Sequence, residues 1–276
     1  MNTPDDGPRI DEALVGQLLA RQFPAWAHLP LQRVNSAGTD NAIFRLGDGL
    51  AVRLPMRMSA ASQPERELRW LPGLAAQLPL TIPAPIAGGK PDAAYPWAWS
   101  VHPWLPGEDA ASARVHDLSI AARDLGGFLH ALGRIDAAGG PAAGSANSGR
   151  GVPLALLDKR VRNDVASLGD EIDETAVLAA WDQALAAPLH VGAGAWVHGD
   201  LHPGNLLIRD GRIVVLGEKL GPAHKVFREV VEADEAAWLR GRGWAIFSAI
   251  IALAFYLRTN PTLCAISRRT LTEVLG

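Results

Sequence analysis

The chain has 276 residues, 48% of them apolar and 20% charged. That length and balance fit one large or two modest globular domains with real cores. A formal charge of −3 argues against a general nucleic-acid binder, which would be basic. The single cysteine, Cys264, rules out an internal disulfide framework, fits a reducing cytoplasm and reads as a small core residue. The opening MNTPDDGPRI is polar and acidic, unlike a charged-then-apolar leader. The longest uncharged apolar run, Trp244 to Leu257, holds fourteen residues, against about 20 for a membrane span. It predicts a buried core helix, so neither nucleic acid nor membrane is expected as a partner.

In chain order, Asp11 to Gln22 predicts a short helix with Leu14, Leu18 and Leu19 on one face. Leu31 to Ser36 reads as a strand, Ser36 to Asn41 (S-A-G-T-D-N) as a small-residue loop, and Ala42 to Leu46 as a second strand. Gly47-Asp48-Gly49 turns the chain into a third strand, Leu50 to Leu54. Backbone N–H groups in such a loop can point at phosphates, although Gly38 is its only glycine. Ser62 to Leu78 predicts a helix with Pro64 in its first turn and Leu68, Leu71 and Leu74 facing the sheet. Thr81 to Gly89 and Tyr95 to Gly107 read as two more strands, the second ending at the break Pro106-Gly107. A long amphipathic helix is expected over Arg114 to Ile135, and a Gly/Ala/Ser-rich flexible loop over Asp136 to Gly151. Leu154 to Ala187 reads as helical again, with an acidic middle (Asp164, Asp170, Glu171, Asp173, Glu174, Asp182). Arg209-Asp210-Gly211 predicts a hairpin turn into a strand over Arg212 to Leu216. Asp234 to Leu257 and Asn260 to Leu275 read as closing helices with sensible starts.

The most informative stretch is Trp196 to Ile208, W-V-H-G-D-L-H-P-G-N-L-L-I, which predicts strand, tight polar loop, strand. Asp200 and Asn205 are separated by four residues, the H-x-D-x-x-x-x-N spacing of a kinase catalytic loop. There an aspartate accepts the proton of the attacking hydroxyl, and an asparagine holds a metal ion that bridges the nucleotide phosphates. A plain turn uses the same residue types, and Pro203-Gly204 is a common turn pair. A metal-dependent hydrolase using His198, Asp200 and His202 is a further alternative, but such sites need more ligands than this region supplies.

HGDLHPGN resembles the aminoglycoside phosphotransferase family, kinase-like enzymes that act on antibiotics and other small molecules. The resemblance implies an α+β, two-lobed protein-kinase-like fold. Residues 1–105 would form a small antiparallel-sheet N-lobe covering the nucleotide. Residues 106–276 would form a mainly helical C-lobe with the catalytic loop and substrate helices. It implies transfer of the γ-phosphoryl group of ATP or GTP, with Mg²⁺, to a hydroxyl of a small molecule such as an aminoglycoside-type antibiotic. Asp200 would be the catalytic base and Asn205 a metal ligand. Ser36 and Gly38 would lie in the nucleotide-binding loop. No lysine precedes Lys90, so Arg53, in A-V-R-L-P, would take the place of the third-strand cation. Glu67, rather than Glu65, would pair with it. Pro103 to Leu105 would hold the adenine, with Pro103 offering its carbonyl and Leu105 its N–H. Trp97, Trp99 and Trp104 would line that slot or serve as core. The acidic helical middle would suit a cationic acceptor or simply be a solvated face.

One departure stands out. The family continues with an I-D-F-G-like motif whose aspartate is the second metal ligand. Here R-I-V-V-L-G-E-K-L-G follows, and no aspartate lies between Asp210 and Asp234. Counting without gaps puts Glu218 at that position; matching the following L-G puts Leu216 there. The helix that follows also looks abbreviated. A catalytically impaired member that binds nucleotide or substrate without turnover is therefore the alternative to an active kinase.

Overall fold

The structure is a computed structural model. It describes residues 8–34, 40–110, 113, 115–144, 149–199, 201, 205–215 and 224–276. The chain divides into two compact units, Met1–Glu108 and Asp109–Gly276. The predicted α+β class holds: the first unit is built on an antiparallel sheet and the second is mainly helical.

In the first unit, α1 (Glu12–Gln22) starts where the Asp11 carboxylate accepts the Leu14 N–H at 3.0 Å, satisfying one of the orphan donors of a helix N-terminus. The sheet holds β1 (Leu31–Val34), β2 (Asn41–Leu46), β3 (Leu50–Pro55), β4 (Ala87–Gly89) and β5 (Trp99–Pro103), in the order β1-β2-β3-β5-β4. Side chains alternate across a strand. One face therefore sends Phe44, Val52, Leu54, Trp99 and Val101 into a core with Val15, Leu18 and Leu19 of α1. The register pairs Arg53 with Ser100 and Ala51 with His102, which sets these four on the opposite face. Helix α2 (Gln63–Ala75) packs against β4 and β5.

The two strands expected around residues 81–107 are shorter than their apolar runs. Pro83 and Pro85 lack an N–H, and pairing begins only where the Ile86 N–H donates to the Val101 carbonyl at 2.8 Å. The segment before β5 is pinned instead by a side chain: the buried Tyr95 hydroxyl donates to the Pro55 carbonyl at 2.7 Å, and burial raises its pKa. Trp99 is fully buried in the core, which removes it from the residues proposed to line an adenine slot.

In the second unit, β6 (Glu108–Asp109, at the division), β7 (Leu207–Arg209) and β8 (Arg212–Val215) form a three-stranded sheet. Helix α3 (Leu118–Arg134) is capped by Asp117, whose carboxylate accepts from Ser119 and Ile120. The helical run expected over 154–187 is interrupted. Helix α4 (Asp158–Leu168) stops at Gly169, which has φ 52°, and α5 (Glu174–Ala186) restarts under an Asp173 cap. Helix α6 (His224–Val231) has only eight residues, in keeping with the abbreviated helix expected after the motif. The expected closing helices are α7 (Glu235–Tyr256) and α8 (Pro261–Leu275), capped by Asp234 and Asn260. Ile246, Ile250 and Leu253 of α7 join Val161, Val165, Val177, Trp181 and Leu271 in one core. Thus the apolar run after Trp244 is a core helix, as expected. Cys264 is buried there and its thiol donates to the Tyr256 carbonyl.

Gly89 faces Trp99 across the β4–β5 pair. A methyl group at Gly89 would lie 1.9 Å from the indole Cε2, and a fully buried indole has no room to yield. Gly89→Ala is expected to cost about 1–3 kcal/mol, the usual penalty of overpacking, read as a lower urea midpoint with an unchanged m-value.

Candidate active site

The first unit assembles a polar group on the sheet face opposite α1. Arg53, in the middle of β3, donates from Nη1 to Glu67 Oε2 at 3.1 Å. The side chains are 22% and 16% exposed, so both charges are largely out of water and each needs the other. This is the pair expected from the sequence, and it involves Glu67 rather than the exposed Glu65. The second Glu67 oxygen accepts from Gln63 Nε2 at 2.7 Å, and Gln63 Oε1 accepts from Asn41 Nδ2 at 3.1 Å.

His102 lies beside this group, almost wholly buried, with Nε2 3.9 Å from Glu67 Oε2. Its Nδ1 sits 2.7 Å from the Pro83 carbonyl. A carbonyl only accepts, so Nδ1 carries the proton. Nε2 of the neutral ring then accepts from the Ser100 hydroxyl, 2.8 Å away. Burial lowers the His102 pKa, and the Arg53 charge lowers it further. Asn41, Gln63, Ser100 and His102 were not singled out from sequence. The i, i+4 spacing of Gln63 and Glu67 on one helix was the available signal.

At the end of β5, Pro103 pairs with Leu50, and the Trp104 N–H donates to the Gly49 carbonyl at 2.8 Å. Pro103 and Leu105 are both half-buried. Trp104 lies under the Arg45 guanidinium, 5.2 Å from ring centroid to Cζ. Ser36 and Gly38 lie outside the described residues.

The second unit carries the HGDLHPGN stretch. Its expected first strand is only a single antiparallel bridge, Asp136 to Ala195. The preceding V-G-A-G offers too few side chains to build a strand, and the Trp196 indole N–H donates to the Asp136 carbonyl at 3.0 Å instead. Gly199 has φ 75°, a conformation that a side chain resists. The Arg150 guanidinium donates to its carbonyl. Asp200, His202, Leu216 and Glu218 lie outside the described residues; His198 is exposed.

Asn205 is exposed and is followed by buried Leu206 and Ile208. The Leu206 carbonyl accepts from the Ala110 N–H at 3.0 Å. The β7–β8 hairpin turns through Asp210 and Gly211, with φ 54° and 72°, the paired positive angles of a tight hairpin turn. Gly211 accepts from the His116 N–H at 3.2 Å, and Arg212 Nη2 reaches both Asp124 oxygens on α3 at 3.0 Å. Asn205 therefore stands at the root of an anchored hairpin. The carboxamide oxygen of Asn205 and a carboxylate at Glu218 are hard oxygen donors, few in number, as Mg²⁺ prefers. Among the described residues no group of three or more His, Cys, Asp or Glu side chains could hold a metal. No described helix is long and apolar enough to cross a membrane.

Most of the acidic residues expected to face an acceptor are engaged within the protein. Asp164 pairs with Arg160 and Asp182 with Arg162, each at 2.5 Å. Glu171 pairs with Arg268, and Asp173 caps α5.

A small antiparallel sheet with a strand cation paired to a helix glutamate, and a helical unit carrying an asparagine at the root of a hairpin, define a protein-kinase-like fold. The phosphotransferase enzyme family matches residues 31–216, and the chain belongs to that family. Its match ends before Glu218. No curated protein matches the sequence. Among solved structures, the fold is similar to the GDP complex of aminoglycoside 2'-phosphotransferase-IIIa, with 15% identity and TM-score 0.64 over 96% of this chain and 99% of that one. It is similar to macrolide 2'-phosphotransferase MphH from Brachybacterium faecium, with 21% identity and TM-score 0.52 over 96% and 97%. A third is the streptomycin-ATP-APH(2")-IIa ternary complex, with 17% identity and TM-score 0.54 over 88% and 91%.

The lowered His102 pKa has a sign that can be tested. In the unfolded chain the ring takes a proton near the ordinary histidine value of 6.5; in the folded chain it does so only at lower pH. Its neutral form therefore stabilises the fold above 6.5, and that stabilisation is lost as pH falls through the lowered folded pKa. His102→Asn keeps a donor for the Pro83 carbonyl and removes the titration. Denaturation at a series of pH values is expected to give a shallower acid loss for this variant, by up to ~1.4 kcal/mol per pH unit.

Proposed function

We propose that the protein transfers the γ-phosphoryl group of ATP or GTP to a hydroxyl of a small molecule. The observation that carries this is the half-buried Arg53–Glu67 pair at 3.1 Å. It is the arrangement by which kinases hold a cation against nucleotide phosphates, kept here with arginine in place of lysine. Residues 1–105 act as the nucleotide-covering part, with backbone N–H groups around Ser36 and Gly38 on the phosphates. The base contacts backbone at Pro103 and Leu105: Pro103 has no N–H and that of Trp104 goes to Gly49, so Leu105 is the donor.

Residues 106–276 supply the chemistry. Asp200 accepts the acceptor hydroxyl's proton as its oxygen attacks the γ-phosphorus, and the bond from that phosphorus to the bridging oxygen breaks, releasing the nucleoside diphosphate. Asn205 and Glu218 would hold Mg²⁺. When bound with the nucleotide, Mg²⁺ neutralises charge developing on the phosphates. The acceptor class is that of the relatives, aminoglycosides or macrolides. The ion pairing of Asp164, Glu171 and Asp182 takes weight from a polycation recognised by that acidic stretch. Family membership favours phosphoryl transfer over a hydrolase at His198, Asp200 and His202.

A second reading has its own observation. No aspartate lies between Asp210 and Asp234, and the family match stops at residue 216. A member without the usual second metal ligand would bind nucleotide and turn over slowly or not at all.

A nucleoside-diphosphate release screen over aminoglycosides, macrolides and small alcohols, with ATP and with GTP, tests the first reading. Transfer to one of them is expected, with Asp200→Ala lowering the rate about 10²–10⁴-fold, the range for a general base. The thermal midpoint with nucleotide, with and without Mg²⁺, separates the two. Equal stabilisation without metal, and no transfer to any acceptor, would sink the enzyme reading in favour of a binding protein.

A further inference from the structure

The Arg53–Glu67 pair is the end of a longer chain of hydrogen bonds, and the chain has a direction. Glu67 carries a carboxylate, which only accepts. Gln63 must therefore present its NH₂ to Glu67 Oε1, at 2.7 Å. That choice turns Gln63 Oε1 away, toward Asn41, which must present its own NH₂, at 3.1 Å. The Glu67 oxygens are thus divided: Oε1 goes to Gln63, and Oε2 goes to Arg53 at 3.1 Å. Each amide is oriented by the next group along. Without the Gln63 donor, the carboxylate is free to rotate and share Oε1 with Arg53 or water.

The chain also joins three elements: Asn41 opens β2, Gln63 lies in the first turn of α2, and Arg53 sits on β3. Asn41 directly follows Asp40, whose carbonyl accepts from the Met56 N–H at 2.8 Å, so this end of β2 is tied to the end of β3. It is also the residue at which the candidate phosphate loop re-enters the sheet.

We propose that Gln63, oriented by Asn41, is a positioning residue for nucleotide binding: it fixes Glu67 so that the Arg53 guanidinium is held ready for the phosphates. This rests on the proposed role of Arg53. It joins the entry to β2 and the phosphate cation through one chain of hydrogen bonds. Gln63 touches neither nucleotide nor acceptor in this scheme and acts only through Glu67.

The test uses the full chain with four variants: Gln63→Met, which keeps the side-chain bulk and removes the donor; Asn41→Ala; Glu67→Ala; and Gln63→Met with Glu67→Ala. Nucleotide affinity is measured by calorimetry with ATP and GTP, KM and kcat where turnover exists, and the urea midpoint for each. Gln63→Met is expected to weaken nucleotide binding on the order of tenfold, as loss of a supporting partner does elsewhere, with kcat nearly unchanged. Asn41→Ala should do the same to a smaller degree. In the Glu67→Ala background, Gln63→Met should have no further effect on affinity. A loss from Gln63→Met that repeats in full in that background overturns the proposal, because Gln63 then acts otherwise than through Glu67. So does an unchanged affinity in Gln63→Met while Glu67→Ala weakens binding. A fall in urea midpoint alone, with affinity kept, marks a merely structural role and overturns it as well. An unsubstituted protein that binds neither nucleotide fails earlier, and overturns the proposed function together with this inference.

Discussion

The half-buried ion pair between Arg53 and Glu67 is the constraint around which the first unit is arranged. A charge that is mostly out of water costs several kcal/mol unless paired and hydrogen-bonded, so a sheet that carries Arg53 in its middle strand must bring a carboxylate to it. Helix α2 does so, and its position follows from that need as well as from Leu74, which is buried beneath it. The sheet divides its labour by face. The α1 side is apolar and closed by Phe44, Val52 and Val101. The other side is polar and holds Arg53, Ser100 and His102, each answered by a specific partner. A neutral His102 serves this arrangement, since a second cation next to Arg53 would compete for Glu67.

The second unit solves a different problem, that of presenting polar side chains from an irregular segment. The stretch from Trp196 to Gly199 has no ladder to hold it. It is fixed by single bonds to its neighbours: Ala195 to Asp136, the Trp196 indole to the Asp136 carbonyl, and the Gly199 carbonyl to Arg150. Beyond Asn205 the chain becomes regular again, and buried Leu206 and Ile208 alternate with outward residues. An exposed side chain next to two buried anchors is held by its backbone, which suits the metal-ligand role proposed for Asn205.

Much of this was legible in the sequence where one residue type had one physical use. Asp11, Asp234 and Asn260 cap helices where helix starts were read, because a short acceptor side chain before an amphipathic run has little else to do; the caps at Asp117 and Asp173 were not read. Arg53 with Glu67 was legible because a strand cation and a helix acid at the family's spacing meet across the sheet. What failed were elements decided by backbone accounting. Apolar composition suggested long strands over 81–107, but proline removed the donors and Tyr95 took over the anchoring. One helix was expected over 154–187, but the positive φ at Gly169 divides it. Asn41, Gln63, Ser100 and His102 escaped notice because each is ordinary in sequence and acquires its role only from a partner on another element.

Arginine at position 53 is a consequential choice. A lysine would place one compact charge that must serve carboxylate and phosphate from a single nitrogen. The guanidinium is planar, carries five N–H donors in a fork and keeps its charge at any working pH. In the structure a single nitrogen, Nη1, meets Glu67, so in the proposed function pairing with the helix and reaching toward a phosphate fall to separate edges of the group. The cost is that a fork must be aimed, whereas an ammonium need only be near. A fork held at one corner by a carboxylate can swing unless that carboxylate is itself fixed. The amides of Gln63 and Asn41 meet that requirement: they define which Glu67 oxygen faces the guanidinium, and a lysine at position 53 would have had less need of them.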